Sequence, residues 1–379
     1  PVRQTADNPY PPLTGSVVIS GAGLGLPGRD REVFNEDNIR QILDGEIRIE
    51  ALPEAVRQEM VNRKITRLEK GKNGAEMVSI DSLDQTLKLA GQRGRFDLAK
   101  DFGVKPERVS ALDISTQLAI AAGIEALRDA GIPLVMGYKP TSTGGFLPQR
   151  WMLPPSLVDE TGVIFASAFP GLDQLSHEAA EYHQHKTLSD QIALLQDMLA
   201  EIGEADPAQT AMLRSRQEVL EAERQALGYG FDRKFIFRIL NMGHAQFAEY
   251  IGARGPNTGV NAACATTTHA VAIAEDWIRA GRARRVVVIA GDDVTSGDLV
   301  SWVGTGLLAT GATTTEGNLR LAALPFDQRR NGMIPGMGAA ALVIESQDAV
   351  AERGMGAIAE VLATDIANSC LLYTSPSPR

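Results

Sequence analysis

Apolar residues along this chain follow two rhythms. Short unbroken runs read as strands at Ser16–Ser20 (SVVIS), Thr161–Ala166 (TGVIFA) and Ala339–Ile344. Arg285–Ala290 (RVVVIA) is of the kind buried on both faces of a sheet, and Ala357–Leu362 begins one more strand. Spacings of three and four predict helices over Asp37–Leu43, over Ser115–Ala130 with its stop at Gly131 and Pro133, and over Phe235–Ile251. Residues 187–227 read as a helical hairpin. Leu188, Ile192, Leu195, Leu199 and Ile202 share one face, Asp206 and Pro207 form an N-cap and first helical position, and apolar pairs recur from Met212 every seven residues. That hairpin packs on itself or on a partner chain. Residues 45–110 are mixed and polar, with Lys64–Lys72 a solvated charged face. Strands alternating with helices indicate an α/β layered fold.

The region 255–281 stands apart. Gly255 and Pro256 lead into a short strand, Thr258–Ala263; then comes Cys264, and behind it an amphipathic helix built on Ala270, Val271, Ile273, Ala274, Trp277 and Ile278, closed by Gly281. A cysteine where a strand hands over to a helix lies beside unpaired N–H groups, which favour the thiolate that acts as nucleophile.

Composition narrows the classes. The 379 residues can hold two lobes, and 44% apolar with 22% charged residues is ordinary for a water-soluble chain. A net charge of -10 argues against a nucleic-acid binder and fits a cytoplasmic protein. Cys264 and Cys370 are the only cysteines, so no secreted disulfide framework is indicated. No apolar run approaches the roughly 20 residues of a membrane span, and no signal peptide is visible. The Pro-rich polar start, residues 1–14, reads as linker, which suggests a piece of something longer.

Other candidate chemistry is weaker. Gly23 to Gly28 satisfies G-x-G-x-x-G after a strand, but Pro27 and the charged run from Arg29 break the helix entry and no acid-bearing strand follows. The cluster reads as a tight strand-to-loop turn. His177, His183 and His185 do not share one helix face, so they read as solvated residues rather than metal ligands. His269 lies five residues along the helix from Cys264 and faces away from it, as a surface or packing residue.

Gly255-Pro256-Asn257 through Ala262-Ala263-Cys264-Ala265-Thr266 resembles the nucleophile motif of β-ketoacyl synthases, the condensing enzymes of fatty-acid and polyketide synthesis. Pro325-Phe326-Asp327, Arg329, Gly332, Gly336, Gly338-Ala339-Ala340 and Val343-Ile344-Glu345 match that family's second signature, and SVVISGAGLGLPG is similar to its opening strand. The resemblance spans residues 15–368. It implies a thiolase-like layered αβαβα fold, with the first half essentially complete over 15–355, a hairpin insertion at about 172–230, and the second half only begun at 356–368. Gly15–Ile19 and Gly356–Val361 would open the two halves. Residues 369–379 fit no family element, which leaves Cys370 no credible second nucleophile.

The resemblance further implies an acyltransferase without a bound cofactor. Cys264 would take an acyl group from the phosphopantetheine arm of an acyl carrier protein, its own N–H helping to hold the oxyanion. Decarboxylation of a malonyl thioester would supply the attacking carbanion. A homodimer within a multidomain synthase is expected. The family completes its site with two histidine motifs downstream of the second signature. This sequence has no histidine after His269, and Gly243-His244 precedes the cysteine, so the chain by itself should be inactive in condensation. Three readings compete: a thiolase or CoA-primed condensing enzyme, a non-catalytic dimerisation lobe, and a cysteine hydrolase. The last would want G-x-C-x-G around its nucleophile.

Overall fold

The computed structural model describes residues 13–71, 74–203 and 206–367. The linker expected over the first residues falls largely outside this range, as do the 369–379 tail and Cys370. In chain order the elements that position the candidate site are β1 (Val17–Gly25), α1 (Ile114–Asp129), β2 (Thr161–Ala166), α2 (Leu172–Ile202), α3 (Pro207–Leu227), α4 (Phe235–Ile239) and α5 (Gly243–Ile251). They continue with β3 (Asn257–Val260), α6 (Thr266–Arg279), β4 (Arg285–Asp293), β5 (Met337–Ser346) and β6 (Ala359–Glu360).

The strands form one six-stranded mixed sheet in the order β6-β1-β5-β4-β2-β3. β4, β2 and β3 run parallel, β5 is antiparallel to β4 and β1, and β6 is antiparallel to β1. Val163, Phe165, Val287 and Ile289 point from the central strands into a core with α1 and α5, while Ile164, Val286 and Val288 point the other way, onto Ala270, Ala274 and Ile278 of α6. Both central strands are therefore buried on both faces, as their unbroken apolar runs require. The helix–sheet–helix layering agrees with the α/β expectation. No helix among the described residues is long and apolar enough to cross a membrane.

The glycine cluster is not a turn. β1 runs straight through it because α1 lies directly on the strand: a Cβ on Gly21 would stand 2.4 Å from the Ala126 carbonyl oxygen, and one on Gly23 2.2 Å from that of Ala122. These glycines are consumed by helix–strand packing, which leaves no phosphate cradle. α1 is capped by Asp113, whose Oδ2 accepts the N–H groups of Ser115 (3.1 Å), Thr116 (3.4 Å) and, across to the start of α2, Gly171 (3.1 Å). Burial, ahead of the nearby Asp173 charge, lifts the Asp113 carboxyl from 3.8 to about 6.

Other elements also depart from the sequence expectation. The hairpin is present, but α2 starts at Leu172 rather than near 187. Leu188, Ile192 and Leu220 form its seam, Asp206 caps α3 through Ala208 and Gln209, and Met212 and Val219 of the heptad pairs face outward. The single helix expected over Phe235–Ile251 is two, because Leu240 is extended and Gly243 restarts the helix against the Phe165 ring, where a Cβ would stand 2.6 Å away. Lys64–Lys72 is no plain solvated face: Thr66–Gly71 is a strand that pairs with Gly74–Ser79. A second hairpin, Val135–Pro140 with Phe146–Met152, turns through Thr141–Gly145. The expected Ala357–Leu362 strand is only β6, two residues beside Val18 and Ile19 of β1.

Gly23→Ala should cost about 2–3 kcal/mol in urea unfolding. Gly306→Ala, with nothing within 4 Å of the added Cβ, should stay within about 1 kcal/mol. Because Asp113 is raised, the folded state holds its proton more tightly than the unfolded chain. Its contribution is thus full below pH 3.8 and is lost as pH rises through about 6. Asp113→Asn keeps a single oxygen for the three N–H groups and removes the charge facing Asp173. Denaturation from pH 4 to 7 should then lose a slope amounting to on the order of 2–3 kcal/mol.

Candidate active site

Strands β2, β3 and β4 end on one edge of the sheet, the edge where open parallel sheets bind their ligands. Four residues after β3, Cys264 stands exposed with its thiol free. The expected strand Thr258–Ala263 stops at Val260, because the chain from Asn261 to Ala265 folds into a tight turn: Ala265 N–H bonds the Ala262 carbonyl and Thr266 N–H that of Ala263, each at 3.1 Å. Ala263 adopts φ +49°, a left-handed conformation that alanine rarely takes. α6 then starts at Thr266 and ends with Gly281 at φ +67°, the left-handed stop the sequence predicts.

Side chains on both sides of the cysteine pin this turn. The Thr266 hydroxyl accepts the Ala262 N–H at 2.9 Å and donates to the Ala263 carbonyl at 2.5 Å. Asn261 Oδ1 accepts the Ala263 N–H at 3.1 Å, and its Nδ2 donates to the Ala168 carbonyl beyond β2 at 3.0 Å. That segment is held in turn by Asp292 on β4, whose carboxylate accepts the Ser167 hydroxyl (2.7 Å) and the N–H groups of Ala168 and Phe169 (2.9 Å each). Burial holds Asp292 above the ordinary carboxylate value, partly offset by those three donors. The amide groups of Cys264, Thr267 and Thr268 donate to no described residue, so they remain open to an anion at the helix start.

The histidines do not gather here. His269 is half-buried on α6, and its N–H bonds the Ala265 carbonyl. His244, near the start of α5, is half-buried with Nδ1 unpartnered, and burial lowers its pKa. His177 lies 3.4 Å from Glu181, and the His185 ring sits 5.3 Å from that of Tyr229, both along α2. No group of three or more His, Cys, Asp or Glu among the described residues could hold a metal ion. A cleft of about 1180 Å³ lies between β1, α1 and Phe34, Phe96 and Phe102, and a smaller one of about 490 Å³ beside Asp173 and Arg93; Cys264 lines neither. The sequence pointed to Cys264 but not to the roles of Asn261, Thr266 and Asp292. Of these only Asp292 stood out, as a polar residue ending an apolar strand.

Residues 202–349, which include Cys264, match the family described as Beta-ketoacyl synthase, N-terminal domain. The chain is 26% identical over 310 residues to 3-oxoacyl-[acyl-carrier-protein] synthase 2 of Staphylococcus aureus, covering 82% of this chain and 61% of that protein. Over a shorter stretch of 130 residues it is 36% identical to Nodulation protein E of Rhizobium leguminosarum bv. trifolii, covering 34% of this chain and 30% of the relative. Among solved structures, a β-ketoacyl synthase from Burkholderia phymatum STM815 aligns with a TM-score of 0.55 at 18% identity, over 92% of this chain and 63% of the other. The ishigamide ketosynthase/chain length factor aligns at 0.53 and 20% identity, over 92% and 62%. The fold is thus the thiolase-like fold of ketosynthases, and the chain spans about three fifths of the length of the S. aureus relative.

Proposed function

Because the chain carries a β-ketoacyl synthase domain, we propose that Cys264 is the acyl-accepting nucleophile of a β-ketoacyl-[acyl-carrier-protein] synthase. The observation that carries this reading is the placement of Cys264: inside the matched residues, exposed at the start of α6, beside three uncommitted N–H groups. The thiol gives its proton to solvent and its sulfur attacks the thioester carbonyl of a phosphopantetheine-borne acyl group. A new carbon–sulfur bond forms, and the oxyanion is met by the open amides. Collapse then breaks the old carbon–sulfur bond and the departing pantetheine thiolate takes up a proton. The partner is an acyl carrier protein, and in the whole enzyme the acyl group passes on to the carbanion left by decarboxylation of a malonyl thioester, in fatty-acid or polyketide synthesis.

The same reading makes residues 15–355 the N-terminal half of the fold, with α2 and α3 an insertion, in a cytoplasmic homodimer forming part of a multidomain synthase. The decarboxylating step needs histidines, and this sequence has none after His269. This chain therefore takes the acyl group without condensing it.

An iodoacetamide probe should modify Cys264 in preference to Cys370, and Cys264→Ala should lower acylation by an acyl-pantetheine thioester about a hundredfold or more, read by intact mass. Equal modification of the two cysteines, or acylation that survives the substitution, removes the assignment. With a malonyl thioester the chain should release no carbon dioxide above the buffer rate; measurable release would show that the histidines are dispensable.

A further inference from the structure

Two side chains that meet no substrate decide where the Cys264 sulfur points. Thr266 is 4% exposed, and its single hydroxyl is committed twice, to the amide two residues before the cysteine and to the carbonyl one residue before it. Asn261 grips the same peptide unit from the other side and ties it to Ala168. Between these clamps Ala263 is held left-handed at φ +49°, which costs an alanine about 1–2 kcal/mol. Four hydrogen bonds, each contributing about 1 kcal/mol net, suffice to hold that conformation, and losing the two of either clamp brings the balance near zero. Release of Ala263 rotates the peptide plane that carries the Cys264 N–H, and the Cα–Cβ bond of Cys264 turns with it.

We propose that Asn261 and Thr266 are positioning residues for acyl transfer at Cys264: they hold the strained Ala263 turn so that the thiol and the open amides of Cys264, Thr267 and Thr268 address the same incoming carbonyl. This rests on Cys264 being the nucleophile. Asp292 is the far anchor, because it fixes the 167–169 segment on which Asn261 hangs. The arrangement ties the end of β3 to the ends of β2 and β4, so the turn keeps its register with the sheet rather than moving with its own loop.

A clamp that only stabilises the fold predicts something different from one that aims a nucleophile. Alkylation by iodoacetamide needs an accessible sulfur and displaces iodide with no oxyanion. Acylation needs the sulfur and the amide donors together. Thr266→Val keeps the shape and removes both hydroxyl bonds, whereas Thr266→Ser restores them; Asn261→Ala removes the outer clamp. With the full chain and an acyl-pantetheine thioester, Thr266→Val and Asn261→Ala should acylate about tenfold to a hundredfold more slowly than the parent, with iodoacetamide rates within about threefold. Thr266→Ser should return to within about twofold of the parent rate. Melting by circular dichroism identifies any variant that fails to fold, and the Ser against Val comparison is then made on the pair that folds.

Unchanged acylation in folded Thr266→Val, or equal loss of acylation and alkylation in it, overturns the positioning role. A Thr266→Ser variant no faster than Thr266→Val overturns it too. If the parent chain is not acylated at Cys264, the nucleophile assignment itself has failed; slowed variants of an acylating parent separate the two cases.

Discussion

The structure depends on how closely α1 lies against the sheet. Where it crosses β1 and β4 there is no room for a side chain: Gly21 and Gly23 face it from one strand and Gly291 from the other, where a Cβ would stand 2.6 Å from the Ser115 carbonyl oxygen. Gly123 answers from the helix, set against Ile289 and Phe247. Backbone contact of this kind fixes the height and angle of the helix more tightly than interdigitated side chains would, since no rotamer can adjust it. Residue 291 immediately precedes Asp292, so seating the helix also sets the end of β4. The carboxylate that organises the 167–169 segment inherits its position from that contact.

The two ends of the central strands are built in opposite ways. At the amino end of β4, Arg285 is 1% exposed and bonds Glu345 of β5 at 2.6 Å, and Glu345 also receives Arg353 and the Ser20 hydroxyl of β1. Burial pulls the Arg285 guanidinium down and the Glu345 charge pulls it back up. Such a cluster is neutral at best as a source of stability, but removing one member would strand a buried charge, so it dictates which strands meet and in what register. At the carboxyl end the polar groups are spent on loops instead, through Asp292, Asn261 and Thr266. One end is closed and specific; the other is left for chemistry.

Sequence periodicity sees burial, and it finds what burial alone determines. Thr161–Ala166 and Arg285–Ala290 read as doubly buried strands because every residue in them is covered, and the seam of α2 and α3 was visible in Leu188, Ile192 and Leu220. The glycines of β1 were misread because a glycine freed for a turn and a glycine pressed against a helix about 100 residues away leave the same letter. Phe235–Ile251 kept an apolar rhythm across a break that only the Phe165 ring, on another strand, makes necessary. At the candidate site the nucleophile was legible from its seat between strand and helix. Asn261 and Thr266 were not, since their roles lie in bonds to main-chain atoms that any polar residue could make in principle.

Magnitudes then decide what the turn at Cys264 is for. An exposed helix start stabilises an adjoining anion by roughly 0.3–1 kcal/mol, less in salt. A well-placed donor to a developing oxyanion contributes about 3–4 kcal/mol to the transition state. The first effect tolerates loose geometry because it is a field acting over several ångströms; the second survives only if donor and sulfur keep a fixed relation. A surface cysteine outside both clefts gains little from the field and much from the fixed relation. Strain held in Ala263 by Thr266 and Asn261 is what such a site requires, since the stored cost is borne by the fold before substrate arrives. The reactivity of this thiol is therefore a property of the turn more than of the helix behind it.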